Sequence, residues 1–273
     1  MRNRITITLR DDIVKEVDKL INNLTIRSRS HAIEYLLSKT ISSYQINSAL
    51  ILAGGSTGEF KNSMTPKCMQ IVGGKPILEN IISLLKKSGI KKFVFSCDVM
   101  SDKIMNYFSD GKKFGTEINY VTSEKPLGMA MAIKLARNYF DKTFLVWYGD
   151  TLCNFDLKDM IRVHNDTKAL STIALTTVSN PLNYGVVKMR GNRIIDFEEK
   201  PQRAVAESFL VSSGIFLAEP EIFKYINSNM KSLELDLFPR LAKKNLLIGY
   251  PFEGMWLNVN NKNELQRANT LWK

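Results

Sequence analysis

The run Leu50-Ile51-Leu52-Ala53-Gly54-Gly55-Ser56-Thr57-Gly58-Glu59 reads as a buried strand feeding a glycine-rich loop that ends in an acid. Gly54 and Gly55 carry no Cβ, so a base or phosphate can approach the backbone closely, and Thr57 and Gly58 lengthen the cradle of N–H groups. Lys67, directly after Pro66, can set an ammonium on a phosphate, and Asp150, after Gly149, can hold Mg²⁺ through a carboxylate oxygen. Singly these are a turn, a surface lysine and a capping aspartate. Together they make a phosphate-and-metal constellation, against which Glu59 works, because its carboxylate repels the ligand's own charge.

Alternating apolar runs and helical patterns must carry these groups. Strands are predicted over 49–52, 92–97, 117–121, 143–148 and 171–177, with helices over 78–88, 102–108, 129–139 and 157–165. That alternation implies a mostly parallel sheet with helices on both sides. Ligands of such sheets bind beyond the strand carboxyl ends, which selects Gly54-Gly55, the run Glu124 to Gly128, and Gly149-Asp150.

The segment from Ala49 to Lys273 resembles the sugar-1-phosphate nucleotidyltransferases, whose opening L-A-G-G-x-G-T-R-L and later P-K it follows in order and spacing. The likeness continues through Gly74-Lys75-Pro76-Ile77-Leu78, Glu124 to Gly128, Gly149-Asp150, Tyr184-Gly185-Val186-Val187, Glu198-Glu199-Lys200-Pro201 and Ser213-Gly214-Ile215. It implies an α/β, Rossmann-like (GT-A-like) mixed sheet with flanking helices, and a reaction in which a sugar phosphate attacks the nucleotide α-phosphorus with Mg²⁺ as cofactor. By the same resemblance Leu52, Ala53, Gly54, Gly55, Thr57, Gly58 and Gly128 bind the nucleotide and Lys67 serves the phosphates. Tyr184, Gly185, Glu199, Lys200 and Gly214 bind the sugar phosphate, and Asp150 the metal.

This chain departs from the pattern where charge is needed. Glu59 stands in the place of the family's catalytic arginine, the loop before Pro66-Lys67 is shorter, and the closing W-x-D-x-G reads Trp256-Leu257-Asn258-Val259-Asn260, so the second metal-binding aspartate is Asn258. Exchanging a cation for an anion about 5 Å from a phosphate costs on the order of 6 kcal/mol at an effective dielectric of about 20. The changes remove catalytic charge more than binding shape.

The amino-terminal segment has a different grammar. In Arg4-Ile5-Thr6-Ile7-Thr8-Leu9-Arg10 the apolar residues share one strand face and the arginines and threonines the other. Asp11 or Asp12 can cap a helix with Ile13, Val17, Leu20, Ile21 and Leu24 inward, and Ser28 or Ser30 a second with Ala32, Ile33, Leu36, Leu37 and Ile41 inward. Strand-helix-helix of this size resembles the ribbon-helix-helix repressors of the Arc and MetJ kind, in which two strands pair in the DNA major groove. The resemblance implies a homodimer, with Arg4, Thr6 and Thr8 at base edges and the N–H groups near Ser28 and Arg29 on a phosphate. The plainer alternative is a dimerisation arm. The expected organisation is a ribbon-helix-helix domain over 1–43, a polar linker over 44–48 and a nucleotidyltransferase-like domain over 49–273.

A net charge of +11 favours polyanionic partners, although lysines spread along the chain also suit a solvated basic surface. Three well-separated cysteines without metal-ligand spacing read as reduced core thiols of a cytoplasmic protein, and no run suits a membrane span. The main expectation is therefore a DNA-binding transcriptional regulator, a homodimer or larger oligomer, whose second domain senses a nucleotide, sugar phosphate or nucleotide sugar. The alternative is an active Mg²⁺-dependent NTP:sugar-1-phosphate nucleotidyltransferase with a dimerising or autoregulatory DNA-binding arm.

Overall fold

Two helices form the smaller of two units in this computed structural model, which describes residues 4–22, 24–43, 46–54, 60, 63–98, 100–123, 128–202 and 207–272. The units are Met1–Gln45 and Ile46–Lys273. In the first, α1 (Asp11–Lys19) places Asp11 and Asp12 in its first turn, where carboxylates suit the helix dipole, with Arg10 as the capping residue in place of either aspartate. The Asn22 side-chain oxygen then accepts the N–H groups of Leu24, Thr25 and Ile26, which turns the chain. Ser28 Oγ accepts the His31 N–H at 3.2 Å at the start of α2 (Arg29–Ser43).

The buried core of this unit is Val17, Ile26 and Ala32, with Leu20, Ile21 and Ile33 packed around it. Ile13, Leu24, Leu36 and Leu37, expected inward, are exposed: α1 has ended before Leu24, and the helix pair buries neither Ile13 at its start nor Leu36 and Leu37. Residues 4–10 pair with no strand among the described residues, and Ile5 and Ile7 are 79% and 52% exposed. A strand needs a ladder partner, and the expected ribbon takes its partner from a second copy.

The larger unit opens on β1 (Ser48–Leu52), and the short pair β2 (Ile71–Val72) and β3 (Lys75–Pro76) leads into α3 (Ile77–Lys87). Alternation follows through β4 (Lys92–Cys97), α4 (Ser101–Phe108), β5 (Glu117–Thr122), α5 (Met129–Leu135), β6 (Phe144–Tyr148), β7 (Thr151–Asn154), α6 (Leu157–Thr167) and β8 (Ser171–Thr177). The chain ends with β9 (Gly185–Arg190), β10 (Arg193–Glu199), β11 (Leu210–Ala218), α7 (Phe238–Lys243), β12 (Leu247–Pro251), β13 (Met255–Asn258) and α8 (Lys262–Leu271). Ile46 joins the core of this unit. α5 is shorter than expected, closing as a 3₁₀ turn over Arg137–Tyr139.

One nine-stranded sheet runs β5-β4-β1-β6-β11-β8-β12-β10-β9. Its first four strands are parallel, but β11 is antiparallel to β6 and β8, and β10 to β12 and β9. The sheet is thus mixed, not mostly parallel as the alternation alone implied. After β8 the chain includes a hairpin, with Gly191 at φ +61° in the two-residue turn between β9 and β10, where a parallel pairing would need a crossover. Along β1, Ala49 and Ile51 enter one apolar core and Leu50 and Leu52 the other, which is why this strand reads as an unbroken apolar run.

Candidate active site

Asp150 lies in the turn between β6 and β7. Gly149 is fixed there by packing: its N–H donates to the Leu52 carbonyl at 3.0 Å, and a Cβ would come within 3.2 Å of Ala53 Cα. β13 pairs antiparallel with β7, setting Asn258 opposite Thr151, and the Val259 N–H donates to the Asp150 carbonyl at 2.9 Å. The carboxy-terminal Trp-Leu-Asn-Val-Asn run is thereby laid against a turn a hundred residues earlier.

Lys67 begins a 3₁₀ turn after Pro66 and pairs its ammonium with the Asp150 carboxylate, the two side chains being only 10% and 14% exposed. Lys67 Nζ also donates to Asn260 Oδ1 at 3.0 Å, and Asn260 Nδ2 donates to Asn258 Oδ1. Asn258 Nδ2 donates to Thr151 Oγ1 at 3.1 Å, and that hydroxyl donates to Asp150 Oδ1 at 3.2 Å. These bonds close a ring of five side chains around one buried ion pair. A pair this enclosed costs several kcal/mol to break from one side, so Lys67 and Asp150 hold each other in place.

Asp150 and Asn258 supply one carboxylate and one amide oxygen, and among the described residues no group of three or more His, Cys, Asp or Glu side chains converges as a metal cage. Mg²⁺ is commonly held by one or two carboxylates together with water and substrate phosphates. The donor set therefore fits an ion bound largely through phosphates.

A cavity of about 700 Å³ brings Leu52, Gly54, Lys67, Asp150 and Asn258 together with Tyr184, Gly185, Glu199, Lys200 and Gly214. Gly185 faces Glu199 across the β9–β10 ladder, and a Cβ there would lie 2.5 Å from Phe197 Cζ. Lys200 takes a left-handed conformation, φ +47°, with its N–H on the Tyr184 carbonyl at 3.0 Å. Non-glycine residues adopt this conformation at some cost, a feature that clusters at ligand sites. Gly214 sits where β11 bulges between Ser212 and Phe216, at φ +79°, and a Cβ would meet the Tyr148 ring at 2.9 Å.

Sequence reasoning missed several walls of this cavity. Glu234, in a π-helical turn over Leu233–Leu237, is 8% exposed; it accepts from Tyr148 OH and, at 2.9 Å, from Ser232 Oγ. Burial, and then the charge of Glu234, push the Glu199 carboxyl above the usual carboxylate range. Ser213 Oγ is buried with no hydrogen-bond partner among the described residues, while the Ser213 carbonyl accepts Trp256 Nε1–H at 3.0 Å. Paired acids are the signal that could have marked this end, but Glu234 belongs to no motif.

Leu52, Gly54 and Met129 also line a second cavity of about 170 Å³, together with Gly128, Ser96, Asp98, Thr122 and Ser123. Gly128 is at φ +82°, and a Cβ would strike the Lys231 carbonyl at 2.3 Å. Ala53 is buried, and its carbonyl accepts the Cys68 thiol at 3.4 Å. Cys68, Cys97 and Cys153 are all buried; desolvation and then the Asp98 charge push the Cys97 thiol up to about 12. Gly55, Thr57, Gly58, Glu59 and the run 124–127 lie outside the described residues.

In the smaller unit Arg4, Thr6, Thr8, Ser28 and Arg29 are exposed. Arg29 grips the Asp18 carboxylate through two bonds of 2.7 and 2.8 Å, so its guanidinium is committed within the unit.

The family model described as nucleotidyl transferase matches residues 48–272. The UTP–glucose-1-phosphate uridylyltransferase of Synechocystis is 34% identical over 232 residues, 77% of this chain and 59% of its own. Mannose-1-phosphate guanyltransferase beta-B of Xenopus laevis is 30% identical over 219 residues, 77% of this chain and 60% of its own. The chain thus spans about 60% of the length of these curated relatives. The crystal structure of HddC from Yersinia pseudotuberculosis superposes with a TM-score of 0.72 at 23% identity, over 84% of this chain and all of that one, a likeness of fold. No helix among the described residues is long and apolar enough to cross a membrane.

Proposed function

Because this chain belongs to the nucleotidyl transferase family, we propose that its larger unit joins a nucleotide to a sugar 1-phosphate. A phosphate oxygen of the sugar attacks the α-phosphorus of a nucleoside triphosphate, the bond from that phosphorus to the bridging oxygen breaks, and pyrophosphate leaves. The observation that carries this reading is one cavity with a lysine–aspartate pair on one wall and Tyr184, Glu199 and Lys200 on another.

Lys67 neutralises phosphate charge from a position fixed by Asp150 and Asn260. Asp150 and Asn258 would hold Mg²⁺, which when bound would supply further neutralisation of the phosphates. Glu199 accepts hydroxyl hydrogens of the sugar, and Lys200 meets its phosphate. Asn258 carries no charge where the family pattern has a carboxylate, so a metal ion would be held here more by the substrate phosphates than by the chain. The relatives' names carry transfer of uridylyl in one case and guanylyl in the other, which leaves the base open and favours an enzyme over a regulator that senses without turnover. Purified protein incubated with nucleoside triphosphates, sugar 1-phosphates and Mg²⁺ is expected to release pyrophosphate; silence across the panel would refute the proposal.

A second component concerns the smaller unit. Its small core among the described residues and the exposure of Ile5 and Ile7 favour a partner, and we propose a second copy, with Arg4, Thr6 and Thr8 on the outward face of the paired strands touching DNA. Retardation of DNA from upstream of its own coding region, falling steeply with salt, is the expected result. Unchanged retardation by the double variant Arg4→Ala with Thr6→Ala would count against this contact.

A further inference from the structure

Among its described lining residues the smaller cavity has mostly apolar walls and one charged side chain, that of Asp98. Its volume of about 170 Å³ is close to that of a cavity of about 150 Å³ known to take up benzene, and at Leu52, Gly54 and Met129 it shares its walls with the larger cavity. Leu52, Val121, Met129, Ala132 and Leu135 make it apolar. Asp98, at the carboxyl end of β4, is half-buried in its wall. A Cβ on Gly54 would lie 2.8 Å from Asp98 Cγ and 2.9 Å from one of its oxygens, so the carboxylate stands directly against the glycine past which a nucleotide must lie.

We infer that Asp98 makes this pocket selective for guanine, a conclusion that rests on the reading of the site as one for nucleotides. A carboxylate offers two acceptor oxygens side by side and no donor. Guanine presents two adjacent donors, N1–H and the 2-amino group, which match such a fork as a guanidinium does. Uracil and thymine set their N3–H between two carbonyl oxygens, which the carboxylate repels. Adenine and cytosine place a ring acceptor beside their amino group, so one oxygen is left facing a lone pair. Charge-assisted bidentate pairing of this kind separates right from wrong bases by roughly tenfold or more.

The test is equilibrium binding of GTP, ATP, CTP, UTP and dTTP to the full chain by calorimetry, for the wild type and Asp98→Asn, with XTP added to the panel. Xanthine replaces the 2-amino donor of guanine with a carbonyl acceptor, which an asparagine amide matches and a carboxylate does not. The wild type is expected to bind GTP about tenfold or more tightly than every other nucleotide, and Asp98→Asn to reverse the order of GTP and XTP. Equal or tighter binding of a pyrimidine nucleotide or ATP by the wild type overturns the inference, and so does an unchanged GTP-to-XTP ratio in a folded variant, or no nucleotide binding. Pyrophosphate release separates the two readings. Turnover of UTP bound as tightly as GTP removes the guanine assignment and keeps nucleotidyl transfer, whereas GTP-selective binding without turnover does the reverse.

Discussion

At the scale of single residues the site is a matter of which charges are tied and to what. Lys67 has a buried carboxylate partner, so Lys67→Ala leaves Asp150 unpaired as well as removing the cation from the phosphates. The variant should lose roughly 10²- to 10³-fold in kcat, measured as pyrophosphate release, and several degrees in melting temperature. Glu199 behaves oppositely. Its carboxyl is held above the usual range by burial and by Glu234, so the folded chain keeps its proton more readily than the unfolded chain, and this stabilisation is lost as pH rises through the raised value. Glu199→Gln is expected to gain about 1–3 °C over the wild type at pH 7.5 and less at pH 4, while weakening sugar-phosphate binding. Lys67, Asp150 and Glu199 were legible in the sequence because each sits in a recognisable run beside Pro66, Gly149 or Lys200-Pro201. Glu234 and Asp98 were not: each is one acid among many until the fold sets it against Tyr148 or Gly54.

At the scale of elements, irregularities place the chemistry. The β11 bulge turns Ser213 and Gly214 toward the cavity, and Tyr148 fills the space that a side chain at 214 would need. Gly214→Ala meets both a positive φ and a ring at 2.9 Å. It should cost about 1–3 kcal/mol in chemical denaturation and raise the KM for the sugar phosphate more than that for the nucleotide. The π-helical turn depends on Ser232, whose hydroxyl accepts the Glu234 and Leu235 N–H groups. The apolar periods of β1, β4, β6 and β8 and of the helices between them were plain from the sequence. The antiparallel half was not, because a strand's residues do not state its direction: β8 and β11 are similarly apolar, yet one runs parallel to β12 and the other antiparallel to both its main neighbours. The Lys200 conformation depends on local backbone that periodicity does not report.

At the scale of the whole molecule, two units of unequal self-sufficiency share one chain. Ile46–Lys273 has extensive apolar cores on both faces of its sheet, whereas Met1–Gln45 buries Val17, Ile26 and Ala32. A fragment starting at Ile46 is therefore expected to keep its melting temperature within a few degrees and to lose the self-association of the full chain, read by sedimentation. Full-length protein that sediments as a monomer at micromolar concentration would contradict the second-copy partner. The net charge of +11 bears on this scale too, as it draws in both triphosphates and DNA without choosing between them.

Nucleotidyl transfer at the cavity around Lys67 and Asp150 must proceed although Asn258 stands where the family pattern has a carboxylate. Its most direct test is continuous measurement of pyrophosphate release by the full chain and by Asp150→Asn, with Mg²⁺, a panel of nucleoside triphosphates and a panel of sugar 1-phosphates. Release is expected to require both substrates and Mg²⁺, to run at about 1 s⁻¹ or faster for the preferred pair, and to fall at least about 10²-fold in Asp150→Asn. No release above background across the panels, or equal release by the Asp150→Asn variant, would contradict it.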